Sequence, residues 1–182
     1  MALTELQQKK LKKMFDAYDY DSSKALTKSD FDAVIDHLSK QLGYSKGSQD
    51  YQKVESQFSG FWSSLHKEAD LDEDANVTLE EWLAYFDKQL NDANFKSTGL
   101  SSGVDVIFSS LDKDGSGSIS VEEYTAMLTA WKVSESEANA IFSKLDINGD
   151  GSLSKEEMKE LYDQFYYSDD PEAPGNYVHG LV

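Results

Sequence analysis

The sequence has no cysteine, which excludes a disulfide framework, a zinc–thiolate site and a thiol nucleophile. Its 2 prolines, Pro171 and Pro174, lie near the end, so everything before them is free to be helical. No apolar run approaches the roughly 18 residues of a membrane-spanning helix. Basic residues are scarce: 17 Lys and Arg face 34 Asp and Glu, a formal charge of -17. Such a charge repels nucleic-acid phosphates and anionic headgroups, so neither is expected as a partner. The opening MALTELQQKK is charged and lacks the apolar stretch of a secretory signal, so a cytoplasmic, monomeric protein is expected.

What the chain does have is 182 residues, 39% of them hydrophobic and 12% aromatic, enough to fill a core. Its carboxylates fall into four clusters that superimpose: 19–30, 70–81, 112–123 and 146–157. Each has an acid at its first and twelfth positions, Asp or Asn at the third and Asp or Ser at the fifth. The eighth is Leu26, Val77, Ile119 or Leu153. Apolar residues follow each cluster at helical spacing: Phe31, Val34, Ile35; Trp82, Tyr85, Phe86; Tyr124, Met127, Leu128; Met158, Leu161, Tyr162. Phe15 and Tyr18, Phe108 and Leu111, and Phe142 and Leu145 precede three of the clusters, with His66 and Ala69 in those places before the second. The repeat is helix, polar loop, helix.

Calcium requires six to eight oxygens at roughly 2.3–2.6 Å, which a twelve-residue loop supplies from positions 1, 3, 5, 7 and 12, with position 9 often acting through water. The fourth loop offers Asp146, Asn148, Asp150, Ser152 and Glu157, with Gly151 at the turn in position 6. The third offers Asp112, Asp114, Ser116, Ser118 and Glu123. The second offers Asp70, Asp72, Asp74, Asn76 and Glu81, but Ala75 replaces the glycine at a cost of roughly 1 kcal/mol, about fivefold in affinity. The first offers Asp19, Asp21, Ser23, Ala25 and Asp30. Lys24 stands at position 6, and Asp30 is one methylene shorter than Glu. Such a loop suits octahedral magnesium, with single-oxygen contacts at about 2.0–2.1 Å, better than seven-coordinate calcium. Calcium is therefore expected in loops 70–81, 112–123 and 146–157, and calcium or magnesium in 19–30.

The eighth positions are expected to bridge paired loops antiparallel, Leu26 to Val77 and Ile119 to Leu153. The fold expected is all-α: four EF-hands in two packed pairs, 1–93 and 94–182, joined by the short segment 91–103. No nucleophile–base pair, phosphate loop or zinc spacing occurs, so an enzyme is not expected. The hydrophobic end of the chain, Tyr177, Val178, Leu181 and Val182, is expected to plug the core between the pairs.

These loops resemble the EF-hand superfamily. The uneven intervals between the loop ends at 30, 81, 123 and 157, Asp at the end of the first loop, the run Glu80–Leu83 and the tail PEAPGNYVHGLV resemble invertebrate sarcoplasmic calcium-binding proteins and calexcitin. That resemblance implies an intracellular calcium buffer with some sites shared with magnesium, or a calexcitin-type sensor with a protein target. FYYSDDP (165–171) resembles coelenterazine photoproteins, whose last helix uses His where Tyr162 stands and whose second loop is lost where 70–81 is complete. Only 4 methionines are present, whereas the adaptable groove of a sensor is Met-rich.

Overall fold

A computed structural model describes residues 2–181. Its helices are α1 (Glu5–Tyr18), α2 (Lys28–Leu42), α3 (Gln49–Ala69), α4 (Leu79–Leu90), α5 (Leu100–Leu111), α6 (Val121–Ala130), α7 (Glu135–Leu145) and α8 (Lys155–Tyr167). A π-turn, Phe95–Gly99, leads into α5, and a 3-10 turn, Pro174–Tyr177, follows α8. Among the described residues, no helix is long and apolar enough to cross a membrane.

Short strands complete the repeat: β1 (Ala25–Leu26), β2 (Val77–Thr78), β3 (Ser118–Ser120) and β4 (Ser152–Ser154). β1 pairs antiparallel with β2 and β3 with β4, in the expected register, Leu26 opposite Val77 and Ile119 opposite Leu153. All four of these side chains are fully buried. Each bridge thus fixes two loops side by side and anchors them in apolar surroundings.

The helices bury the faces that their periodicity marks. Every apolar residue named after the loops is buried except Tyr85, which is half-buried. Trp82 is completely enclosed, and its indole N–H donates to the Leu11 carbonyl at 2.9 Å, tying α4 to α1. Burying such a ring is worth about 2–3 kcal/mol, and the hydrogen bond removes the cost of its one polar atom. Tyr18 sits among the rings of Phe31, Phe61, Trp82 and Trp131. Trp131 belongs to the second half of the chain, so this aromatic cluster crosses between the halves. Phe86 stacked on Tyr166 at 5.8 Å, and Gln57 hydrogen-bonded to Ser109 and Ser110, add α4–α8 and α3–α5 contacts.

The final segment folds back onto α6, α7 and α8. Val178 is buried and its carbonyl accepts from the Tyr124 hydroxyl at 2.9 Å. His179 is enclosed by Trp131, Tyr162 and Phe165. The plug expected from apolarity is only partly right. Tyr177 is half-buried, Leu181 is 47% exposed, and Val182 lies outside the described residues. A histidine and Asn176 occupy the interior instead, because the turn at 174–177 sends Leu181 past the core rather than into it.

Candidate metal centres

Each loop is built by backbone hydrogen bonds to its own carboxylates. The first-position aspartate receives two amides in every case. Asp19 accepts from Ser23 and Lys24 at 2.9 and 3.0 Å, and Asp70 from Asp74 and Ala75 at 3.2 and 3.1 Å. Asp112 accepts from Ser116 and Gly117 at 2.9 and 3.1 Å, and Asp146 from Gly149 and Gly151 at 2.8 and 2.9 Å. Wrapping the chain this tightly demands a left-handed backbone at the fourth and sixth positions. Glycine fills both in the later loops: Gly115, Gly117, Gly149 and Gly151. The earlier loops force Ser22, Lys24, Glu73 and Ala75 into the same region, at φ of 60°, 74°, 59° and 68°. The strain expected at position 6 is present, and position 4 shares it.

The twelfth-position carboxylate closes the loop onto its following helix. One oxygen of Glu81, Glu123 and Glu157 accepts from the backbone N–H and the hydroxyl of Thr78, Ser120 and Ser154. Those residues are the N-caps of α4, α6 and α8, and their hydroxyls accept the amides of Glu81, Glu123 and Glu157 in return. This reciprocal capping box is worth about 1 kcal/mol to each helix. It gives the ninth position a structural duty beyond the water-mediated one expected from the sequence. The shorter Asp30 makes the same closure, accepting from Thr27 N–H at 2.9 Å with one oxygen and Tyr20 N–H at 2.9 Å with the other. Closing a shorter side chain onto both partners draws the first loop tight.

Among the described residues, carboxylate oxygens lie within 4.8 Å of one another in three groups: Asp19, Asp21 and Asp30; Asp70, Asp72 and Asp74; Asp112, Asp114 and Glu123. Glu81 falls outside its group, although it accepts from the Leu71 and Thr78 amides just as Glu123 accepts from those of Lys113 and Ser120. The fourth loop forms no such group because its third position is an amide: Asn148 Nδ2 donates to Glu157 Oε1 at 2.7 Å. At the fifth positions, Ser23 and Ser116 occur, and their backbone and hydroxyl hydrogen bonds hold Asp21 and Asp114 below the usual carboxylate range. Ser152 does the same for Asp150. The same Ser23 and Ser116 hydroxyls, each with a single proton to share, also lie 3.0 and 2.9 Å from the carbonyls of Ala25 and Ser118, the seventh positions.

The donor set is all oxygen, mostly anionic, with no thiolate and no imidazole inside the loops; His66 touches Asp70 from outside at 3.0 Å. Hard cations are the match for such donors. The residues therefore fit calcium by chemistry as well as by spacing.

A family model described as an EF-hand domain pair matches residues 105–163. Calerythrin of Saccharopolyspora erythraea is 30% identical over 138 residues, covering 74% of this chain and 77% of that protein. The chain belongs to the EF-hand family of calcium-binding proteins. Sarcoplasmic calcium-binding proteins I, III and IV of Branchiostoma lanceolatum are 24% identical over 184 residues, 98% of both chains. Two solved EF-hand structures share the fold along nearly the whole chain. The amphioxus sarcoplasmic calcium-binding protein has a TM-score of 0.73 at 22% identity, covering 100% of both chains. The coelenterazine-binding protein of Renilla muelleri has 0.74 at 18%, covering 98% and 100%. This EF-hand chain is thus like sarcoplasmic calcium-binding proteins in sequence and architecture, and Ca²⁺ is the ion its acidic loops serve.

Proposed function

We propose that the chain is a cytoplasmic, monomeric buffer of Ca²⁺ and, at its first loop, Mg²⁺. The ion would be held by Asp19, Asp21, Ser23, Ala25 and Asp30 in the first loop, and by Asp70, Asp72, Asp74, Asn76 and Glu81 in the second. Asp112, Asp114, Ser116, Ser118 and Glu123 would serve the third, and Asp146, Asn148, Asp150, Ser152 and Glu157 the fourth. Ala25, Asn76, Ser118 and Ser152 contribute backbone carbonyls. Residues 1–93 and 94–182 act as the two paired units. No reaction is assigned.

The observation that carries buffering over sensing is the seat of the C-terminal segment. A sensor exposes an apolar groove between its helices when the ion binds. Here Val178 and His179 occupy that ground, bonded to Tyr124 and enclosed by Trp131, Tyr162 and Phe165. The lining is aromatic rather than Met-rich, so it favours one packed arrangement. A luciferin-carrier reading has less support, with Tyr162 at the place of the expected His and four loops that all keep acidic ends.

Hydrogen exchange separates the two roles. In a buffer, amides of 176–180 become more protected as calcium fills the loops; a sensor would release them. Calorimetry with calcium, with and without magnesium, should show the first loop alone yielding to magnesium.

A further inference from the structure

Between α1, α3, α4, α5 and α8 the core leaves a cavity of about 570 Å³. It opens to solvent on one side, and its volume lies within the roughly 300 to 1,000 Å³ of small-molecule sites. Its walls include Phe58, Phe61, Phe86, Leu100, Val104 and Ile107, and no charged residue lines it.

Two features argue that this space is built to be filled. The first is a small-residue mouth. Gly60 in α3 and Gly103 in α5 are exposed and line the cavity, and a β-carbon at either would meet no atom within 4 Å. A glycine inside a helix costs about 1 kcal/mol against alanine, and no neighbouring atom requires it here. Ser56, Ser64 and Ser102 continue the same small rim. Beside it, the π-turn Phe95–Gly99 leans the Phe95 ring on Tyr166; such turns recur at functional sites.

The second feature is a hydroxyl without a partner. Tyr162 lines the cavity, is 2% exposed, and its OH is buried with no hydrogen bond. A buried donor left unmade is destabilising, so an acceptor brought in by a ligand would be rewarded there.

We propose that this cavity binds one neutral, largely apolar small molecule carrying a hydrogen-bond acceptor that receives the Tyr162 hydroxyl. The uncharged wall excludes an ion as occupant, and the chain's net charge of -17 disfavours an anion at the mouth. This site is separate from the metal loops and goes beyond the buffering role.

The probe is prodan, a flat neutral naphthalene with a ketone acceptor, titrated into the full-length calcium-loaded protein. One saturable site with blue-shifted emission is expected, and Tyr162→Phe should weaken it on the order of fivefold. Gly60→Leu with Gly103→Leu should abolish or greatly slow binding while calcium stoichiometry and near-UV dichroism stay unchanged. Nuclear Overhauser contacts from prodan to Val104 and Tyr162 in the unmutated chain give the same answer without substitution. Absence of saturable binding overturns the proposal. So does binding that ignores both the doubled leucine variant and Tyr162→Phe, or Overhauser contacts confined to surface residues.

Discussion

Lys132, in the turn between α6 and α7, holds its ammonium 4.2 Å above the Tyr20 ring and donates to the Tyr20 carbonyl. Tyr20 is the second residue of the first metal loop, so a residue of the second half grips a loop of the first. The opposite approach also exists: a β-carbon on Gly43, in the turn between α2 and α3, would stand 3.4 Å from the ammonium of Lys113 in the third loop. Tyr44, in the turn between α2 and α3, is pushed up to about 12 by burial and then by the carboxylates of Asp50, Glu123 and Asp112, the last two belonging to the third loop. Each half therefore rests an interhelical turn against a metal loop of the other.

Replacing Lys132 by Met removes the charge and keeps much of the alkyl chain. The exposed cation–aromatic contact is worth about 0.5–1 kcal/mol. The variant should lose that much in urea denaturation, and its first loop should respond less to filling of the third. An unchanged midpoint and unchanged first-loop titration would show that the contact carries no coupling.

His179 should make the fold sensitive to acid. Burial holds its imidazole down at about 3, against 6.5 when exposed. Between those values the unfolded chain binds the proton and the folded chain does not, so stability is complete above about pH 6.5 and falls as pH drops. By pH 5 this one group costs about 2 kcal/mol. His179→Phe should remove that slope relative to the parent, and relieve two ring nitrogens that lack partners. Denaturant midpoints of both proteins from pH 7 to 5 give the comparison.

Gly175 is where the C-terminal segment meets α8. A β-carbon there would stand 2.2 Å from the Leu161 carbonyl oxygen and 2.6 Å from Gln164 Cβ. Backbone cannot yield as a flexible side chain does. Gly175→Ala should destabilise by about 2–3 kcal/mol and unseat the segment. Deleting 176–182 should mimic it, raising the emission of an anionic naphthalene dye as α6 and α8 lose their cover. Unchanged stability in the alanine variant would mean that the segment does not rest against α8 in solution.

Ala75→Gly relaxes one strained residue of the second loop. Removing about 1 kcal/mol of left-handed backbone cost should tighten calcium there about fivefold. Glu157→Gln should act oppositely in the fourth loop, by removing a charged oxygen. Chelation should lower the melting temperature of every variant, because binding energy is folding energy when empty loops hold unshielded carboxylates.

Much of this architecture was legible because it is local. Spacing of Asp and Glu set the four loops, the 3.6-residue period set the helix faces, and Leu26, Val77, Ile119 and Leu153 marked the bridges. The carboxylates of the first three loops gather in space, apart from Glu81. Less visible was whatever depends on contacts distant in sequence. Nothing adjacent to His179 signals that three aromatic rings will enclose it, and Leu181 reads as core until the turn at 174–177 redirects it. The π-turn at Phe95–Gly99 has no sequence signature, and Asn148 reads only as a ligand until its amide is found on Glu157. The left-handed fourth position was within reach, since Gly115 and Gly149 recur there.

The unequal distribution of glycine sets a hierarchy in time and concentration. Loops bearing Gly115, Gly117, Gly149 and Gly151 reach their wrapped shape freely, whereas those bearing Ser22, Lys24, Glu73 and Ala75 must be bent into it. Under the proposed buffering role, rising free calcium would fill the later pair first and the earlier pair next. As it declined, the earlier pair would discharge first, so that on the proposed buffering role a single polypeptide would act as a two-tier reservoir spanning a wider concentration range than four identical loops.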